Sequence, residues 1–188
     1  IPGCFTDERG KVVVTSRETD GSGVGLYLVD LLQGTQIKLG GRTFTGGVCD
    51  YPALSPDGKS LAVTFSRNST LRRVYLLTPD NEKPRPVGQA LDIRSLSWPG
   101  DGRALVLLVA DPAEEGGKGP RFRIVSLGLD GKVSEVRNDT GQFATVSGKD
   151  ADKILFQGRD RLWYTCDSEG EDVVMVGNGL DGLEFPAV

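Results

Sequence analysis

The stretch YPALSPDGKSLAV, Tyr51 to Val63, joins a short apolar segment to a longer one through Ser55-Pro56-Asp57-Gly58. Pro56 presets φ for the first central position of a type I turn, Asp57 can bond its own backbone, and Gly58 takes the next position, where a side chain is awkward. Pro52 suits a strand start or an edge, so Tyr51–Leu54 reads as a short innermost strand and Leu61 onward as the second.

The same unit recurs. Phe5 opens FTDERGKVVVTS, Trp98 opens WPGDGRALVLLV and Ser147 opens SGKDADKILFQG, each a polar turn followed by an apolar strand. Gly10, Gly58, Gly102 and Asp152 mark the turns and stand 48, 44 and 50 residues apart. A second apolar strand follows in every unit: GLYLVDL from Gly25, RVYLLT from Arg73, FRIVSL from Phe122 and RLWYTC from Arg161. Fourth strands are expected at Thr35–Leu39, Arg85–Gly88, Lys132–Val136 and Asp172–Val176, after the hairpin signals LQG, TPDNEK, LDG and SEGE. A period in the forties with four strands per unit predicts an all-β chain of propeller blades. The blades fall at about 1–46, 47–90, 91–140 and 141–182 of a single domain, 1–188.

PALSPDGKSLAVTFS followed by RVYLLTPDNEKPRPV resembles the PD40, or TolB-type, β-propeller repeat, closely over Tyr51–Asp80 and more loosely in the other three units. In the third, SWPGDG stands where the family pattern has SWSPDG, and in the fourth GKDADK keeps only the turn character. The terminal FPAV, Phe185 to Val188, matches YPAL type for type, and IPGC at Ile1–Cys4 occupies the same slot before the first turn. The expectation is four four-stranded antiparallel blades plus the first strand of a further blade. That leaves three arrangements open: a small propeller or arc closed locally, a homodimer completing a ring, or a fragment of a larger propeller. Open flanks would expose apolar side chains and promote association.

Composition excludes several functions. Lys plus Arg number 22 against 26 Asp plus Glu, a net charge of −4 with both signs scattered, so no nucleic-acid footprint is expected. The longest apolar run, Ala104–Ala110, has strand length, so no membrane span is expected. The chain contains no histidine, which removes Ser-His-Asp and Cys-His catalysis and most catalytic zinc sites. It contains no GxSxG nucleophile elbow either. Cys4, Cys49 and Cys166 are odd in number with no CxxC spacing, and read as small buried apolar residues. Ile1-Pro2-Gly3-Cys4 faintly resembles a lipoprotein attachment site with Pro2 an unusual occupant, and sequons occur at Asn68 and Asn138. They matter only in a glycosylating secretory pathway.

Three stretches invite a ligand reading and lose it. DSEGED, Asp167 to Asp172, has Asp172 and Asn178 where an EF-hand needs Gly and Glu, so a solvated turn is expected. GSGVGLY from Gly21 has neither the strand–loop–helix order nor the Lys-Ser/Thr of a phosphate loop. DPAEEGGKGPR, Asp111 to Arg121, is a long exposed loop of the third blade, available for partner contact. No cofactor or metal is expected.

The connections leading into the innermost strands place Asp50, Tyr51, Asp92, Arg94, Gln142 and Glu184 at equivalent positions, and the repeat predicts that they converge on one rim of the channel. Mixed charge with one aromatic suits a protein or peptide segment. Trp98 is expected in the blade core, and Trp163 could face either way. The TolB resemblance implies a non-catalytic binding module of the cell envelope, periplasmic or extracellular, with the cytoplasm also open. Peptidase propellers offer a second reading, the gating domain of a prolyl-oligopeptidase-type serine peptidase whose catalytic domain lies outside this chain. A structural, self-assembling half-propeller is the third.

Overall fold

The computed structural model describes residues 5–6, 10–21, 23–67, 71–78, 81–90, 92–113, 119–147 and 152–177. The chain divides after Ala90 into two compact units.

In the first unit, β1 (Phe5–Thr6), β2 (Lys11–Arg17), β3 (Val24–Asp30) and β4 (Thr35–Lys38) pair in succession, all antiparallel. A second meander follows: β5 (Val48–Leu54), β6 (Leu61–Ser66), β7 (Arg72–Thr78) and β8 (Asn81–Ala90). One parallel bridge, Val24 to Val48, joins the two. Every residue of β6 is buried, which is why LAVTFS carries no polar-out alternation: both faces of the strand are covered.

The Ser55–Gly58 turn forms as its residues dictate. Gly58 N–H donates to Ser55 O at 2.9 Å with φ 70°. A Cβ on Gly58 would meet nothing within 4 Å, so glycine serves the backbone conformation and not a close contact. Asp57 takes the Ser55 hydroxyl at 2.6 Å and the Lys59 N–H at 3.0 Å, a wider role than bonding its own backbone.

The core of this unit draws on both meanders: Val13 and Leu26 from the first, Cys49, Leu61, Val63, Phe65, Tyr75 and Leu77 from the second. Phe44 enters it from a 3-10 turn, Gly41–Phe44, that the repeat pattern does not predict. Its ring lies 5.2 Å from Phe65 and 5.4 Å edge-on from Tyr75. Gly40, at φ 73°, leaves room for it, since a Cβ there would come within 2.2 Å of the Phe44 ring.

The second unit is one antiparallel sheet of seven strands: β9 (Ile93–Ser97), β10 (Ala104–Asp111), β11 (Arg121–Gly128), β12 (Val133–Ser147), β13 (Lys153–Gly158), β14 (Trp163–Cys166) and β15 (Val174–Gly177). β12 is a difference from expectation. The predicted fourth strand at Lys132–Val136 runs on for 15 residues, pairing first with β11 and then with β13. Thr140 is partnered by Phe122 on one side and Gly158 on the other. β9 lies beside the later half of β12: Ser95 Oγ donates to Ala144 O at 2.7 Å, and Val146 N–H donates to Ser97 Oγ at 3.2 Å. Val106, Leu108, Ile124, Ala144, Ile154, Phe156 and Cys166 form the core.

Two further expectations shift. β5 starts at Val48, so Pro52 sits inside the strand instead of near its start; the ladder breaks between Asp50 and Ala53 to accommodate it. β8 starts at Asn81, which shortens the expected TPDNEK turn. Trp98 is buried, as the repeat predicts, and Trp163 is half-buried with its ring 4.9 Å from Phe143. Ile1–Cys4, Asn68 and Phe185–Val188 lie outside the described residues.

Candidate interaction surface

Antiparallel pairing decides where the predicted rim residues lie within each unit. Strands of a meander alternate in direction, so the segment leading into an innermost strand lies at the same end as the connection between the second and third strands. In the first unit that end carries Asp50, Tyr51 and a residue the sequence reading missed, Arg72 at the start of β7.

Arg72 Nη1 is ion-paired with Asp50 Oδ2, and both side chains are mostly buried. The guanidinium lies 5.6 Å from the centre of the Tyr51 ring, within cation–π range. Thr64 Oγ1 donates to the Asp50 carbonyl at 3.0 Å, fixing the backbone just before the bulge. Tyr51 holds φ 51°, a left-handed conformation uncommon outside glycine, Asn and Asp. The Asp50–Arg72–Tyr51 cluster therefore presents an aromatic ring and a compensated charge pair from a strained backbone. Arg72 was legible only through register: β6 sits between β5 and β7, and the spacing of polar residues in RRVYLLT says nothing of what lies two strands away.

In the second unit, Asp92 and Arg94 pair at 2.6 Å, with side chains 37% and 49% exposed. Exposure on that scale makes the pair a small contributor to stability. The Asp92 carbonyl accepts from Ala110 N–H at 2.8 Å. Gln142 is exposed and lines a cleft of about 580 Å³ with Arg121, Phe122, Thr140, Arg159 and Arg161. Glu184 lies outside the described residues. Of the six predicted rim residues, the units thus bring Asp50 to Tyr51 and Asp92 to Arg94, and set Gln142 in an arginine-lined cleft.

The acidic turn is spent on its own backbone: Asp167 Oδ1 accepts from Glu169 N–H at 3.1 Å and Glu171 N–H at 2.8 Å. Among the described residues no group of three metal-binding side chains gathers. No helix among them is long and apolar enough to cross a membrane. Cys49 and Cys166 are buried free thiols. Burial pushes the Cys49 thiol up to about 12 and the Cys166 thiol to about 11, which disfavours the nucleophilic thiolate.

An all-β chain of successive antiparallel meanders, with innermost strands neighbouring one another within each unit, has the fold of a β-propeller. Solved propeller-containing proteins match it. The structure of TolB from Acinetobacter baumannii is 23% identical, with a TM-score of 0.58 over 88% of this chain and 40% of that one. A TolB candidate from Agrobacterium tumefaciens is 18% identical, with a TM-score of 0.68 over 92% of this chain and 64% of that one. Pyrococcus horikoshii acylaminoacyl peptidase is 15% identical, with a TM-score of 0.63 over 94% of this chain and 33% of that one. The chain therefore spans between a third and two thirds of these proteins' lengths. No family model matches the sequence, and no curated protein matches it.

Proposed function

We propose that the chain is a non-catalytic, TolB-like β-propeller module that binds a protein or peptide segment through the predicted rim residues, Asp50 and Tyr51 of the first unit and Asp92, Arg94, Gln142 and Glu184 of the second. In this reading it acts in the periplasm or outside the cell, and its four blades are those of the repeat. The observation that carries it is the Asp50–Arg72–Tyr51 cluster. Strained backbone costs stability and persists where a fold holds it for a use, and here it displays an aromatic ring beside a charge pair. The absence of histidine and of GxSxG agrees with binding in place of catalysis. The test is capture of partners from an envelope extract of the source organism, comparing the wild type with a Tyr51→Ala, Arg94→Ala double variant. Loss of a captured protein at unchanged melting temperature supports the rim; capture unaffected by both substitutions overturns it.

A second reading makes the chain part of the gating propeller of a serine peptidase. The likeness to acylaminoacyl peptidase, over 33% of that protein, favours it. A GxSxG-containing domain encoded in the same gene decides for this reading. The third, a half-propeller that pairs with a second copy, requires a concentration-dependent mass of twice the monomer.

A further inference from the structure

Three hairpins of the second unit use one turn, and one of them breaks its rule. In Gly128–Lys132 the Gly128 N–H donates to Lys132 O at 2.8 Å, Gly131 N–H donates to Gly128 O at 2.9 Å, and Asp130 Oδ1 accepts from Lys132 N–H at 3.0 Å. In Gly158–Leu162 the same three bonds recur at 2.8, 3.0 and 3.0 Å, with Arg161 in the place of Gly131. The turn at Asp167–Glu171 puts Gly170 there. The backbone at this position is left-handed in all three, with φ 89° at Gly131, 88° at Gly170 and 69° at Arg161. Glycine occupies such a position without strain and arginine does not. The alignment of GLDGK with GRDRL displays the anomaly in the sequence itself.

Arg161 borders the cleft of about 580 Å³ described above, together with Arg159 and Arg121. Among the described residues that line it are three arginines and no carboxylate. Thr140 also lines it, and is 2% exposed, with a hydroxyl that has no hydrogen-bond partner among the described residues. A buried hydroxyl left unmatched costs stability unless something satisfies it. Gln142 adds an exposed amide, and Phe122 an apolar wall. One N–H of Arg159 is given to the Asn138 carbonyl at 2.6 Å, which holds the side chain in place.

We propose that this cleft binds the carboxylates of an acidic peptide segment, with Arg159 and Arg161 as cationic partners and the Thr140 hydroxyl and Gln142 amide as hydrogen-bonding groups. Planar guanidinium forks match carboxylates in two-point contacts, and the cleft has the volume of a short peptide segment. The strained Arg161 is then kept for the charge it places, which a glycine would forfeit. The proposal rests on the reading of the chain as a peptide-binding module and names the chemistry it selects.

The test is calorimetric titration of the whole chain with the blocked peptide Asp-Glu-Phe-Glu and with its uncharged counterpart Asn-Gln-Phe-Gln. The acidic peptide binds, more weakly as salt rises, and the uncharged one does not. Arg161→Gly weakens binding about tenfold or more while the melting temperature stays level or rises; Arg159→Gln weakens it similarly. Failure of the wild type to bind the acidic peptide overturns the proposal, as does unchanged affinity in both arginine variants. Competition by inorganic phosphate as strong as by the peptide itself overturns the carboxylate assignment. Peptide binding that survives the arginine variants but is lost with Tyr51→Ala, Arg94→Ala overturns the cleft and leaves the rim reading standing.

Discussion

Arg72 on β7 is ion-paired with Asp50 on β5, across the intervening strand β6. Removing one partner leaves the other charge partly buried, a cost between that of exposed and fully buried pairs. Asp50→Asn and Arg72→Met are each expected to lower stability by about 1–2 kcal/mol. A double-mutant cycle by urea unfolding should give a favourable coupling of about 1 kcal/mol; additive effects would mean that the pair contributes nothing.

Phe44 anchors the first unit from outside the strands. It is 2% exposed and packs against Phe65 and Tyr75. Phe44→Ala is expected to cost about 3–5 kcal/mol, the usual range for an emptied aromatic site. Gly40→Ala is expected to destabilise as well, because the new Cβ would collide with the same ring at a left-handed φ. Denaturant midpoints check both.

Asp139 has a pH signature. The Arg137 guanidinium, which grips it through Nε at 2.8 Å and through Nη2, holds its carboxyl below the usual range. A folded-state value below the unfolded one means stability that is present above about pH 4 and lost as pH falls through the folded value. The side chain is 55% exposed, so the effect is modest. Asp139→Asn is expected to melt lower than the wild type at pH 7, with the gap closing below pH 4. A constant gap across that range would contradict the assignment.

Cys49 and Cys166 are expected to resist alkylation by iodoacetamide at pH 8 in the folded protein and to react fully in denaturant, since burial holds both as thiols. Peptide mapping by mass spectrometry distinguishes them from Cys4. Rapid modification of either in the native state would contradict the packing.

The repeat was legible because its turns are chemically specific. Pro56-Asp57-Gly58 and Asp101-Gly102 lie where a left-handed residue and an Asp acceptor are needed, and Gly58 and Gly102 hold φ 70° and 64°. Strand limits were less legible. β12 runs through Thr140 although Asn138, Asp139 and Gly141 are poor strand residues, because its first half pairs with β11 and its second with β13, and the ladders shift register at the changeover. Phe44 was hidden because it packs from a turn, outside any strand period. Repeat position suffices to nominate Asp50, Tyr51, Asp92, Arg94 and Gln142 as rim candidates, whereas the pairing of Arg72 with Asp50 and the place of Thr140 between β11 and β13 come from cross-strand register, which a single sequence does not display.

The most direct test of the rim is amide hydrogen exchange of the chain with and without its captured partner. The account predicts slowed exchange in Cys49–Ala53, Ile93–Ser95 and Gly141–Phe143. Protection confined to the outer strands Thr35–Lys38 and Val174–Gly177, with those segments unchanged, would contradict it and point to association through the sheet edges.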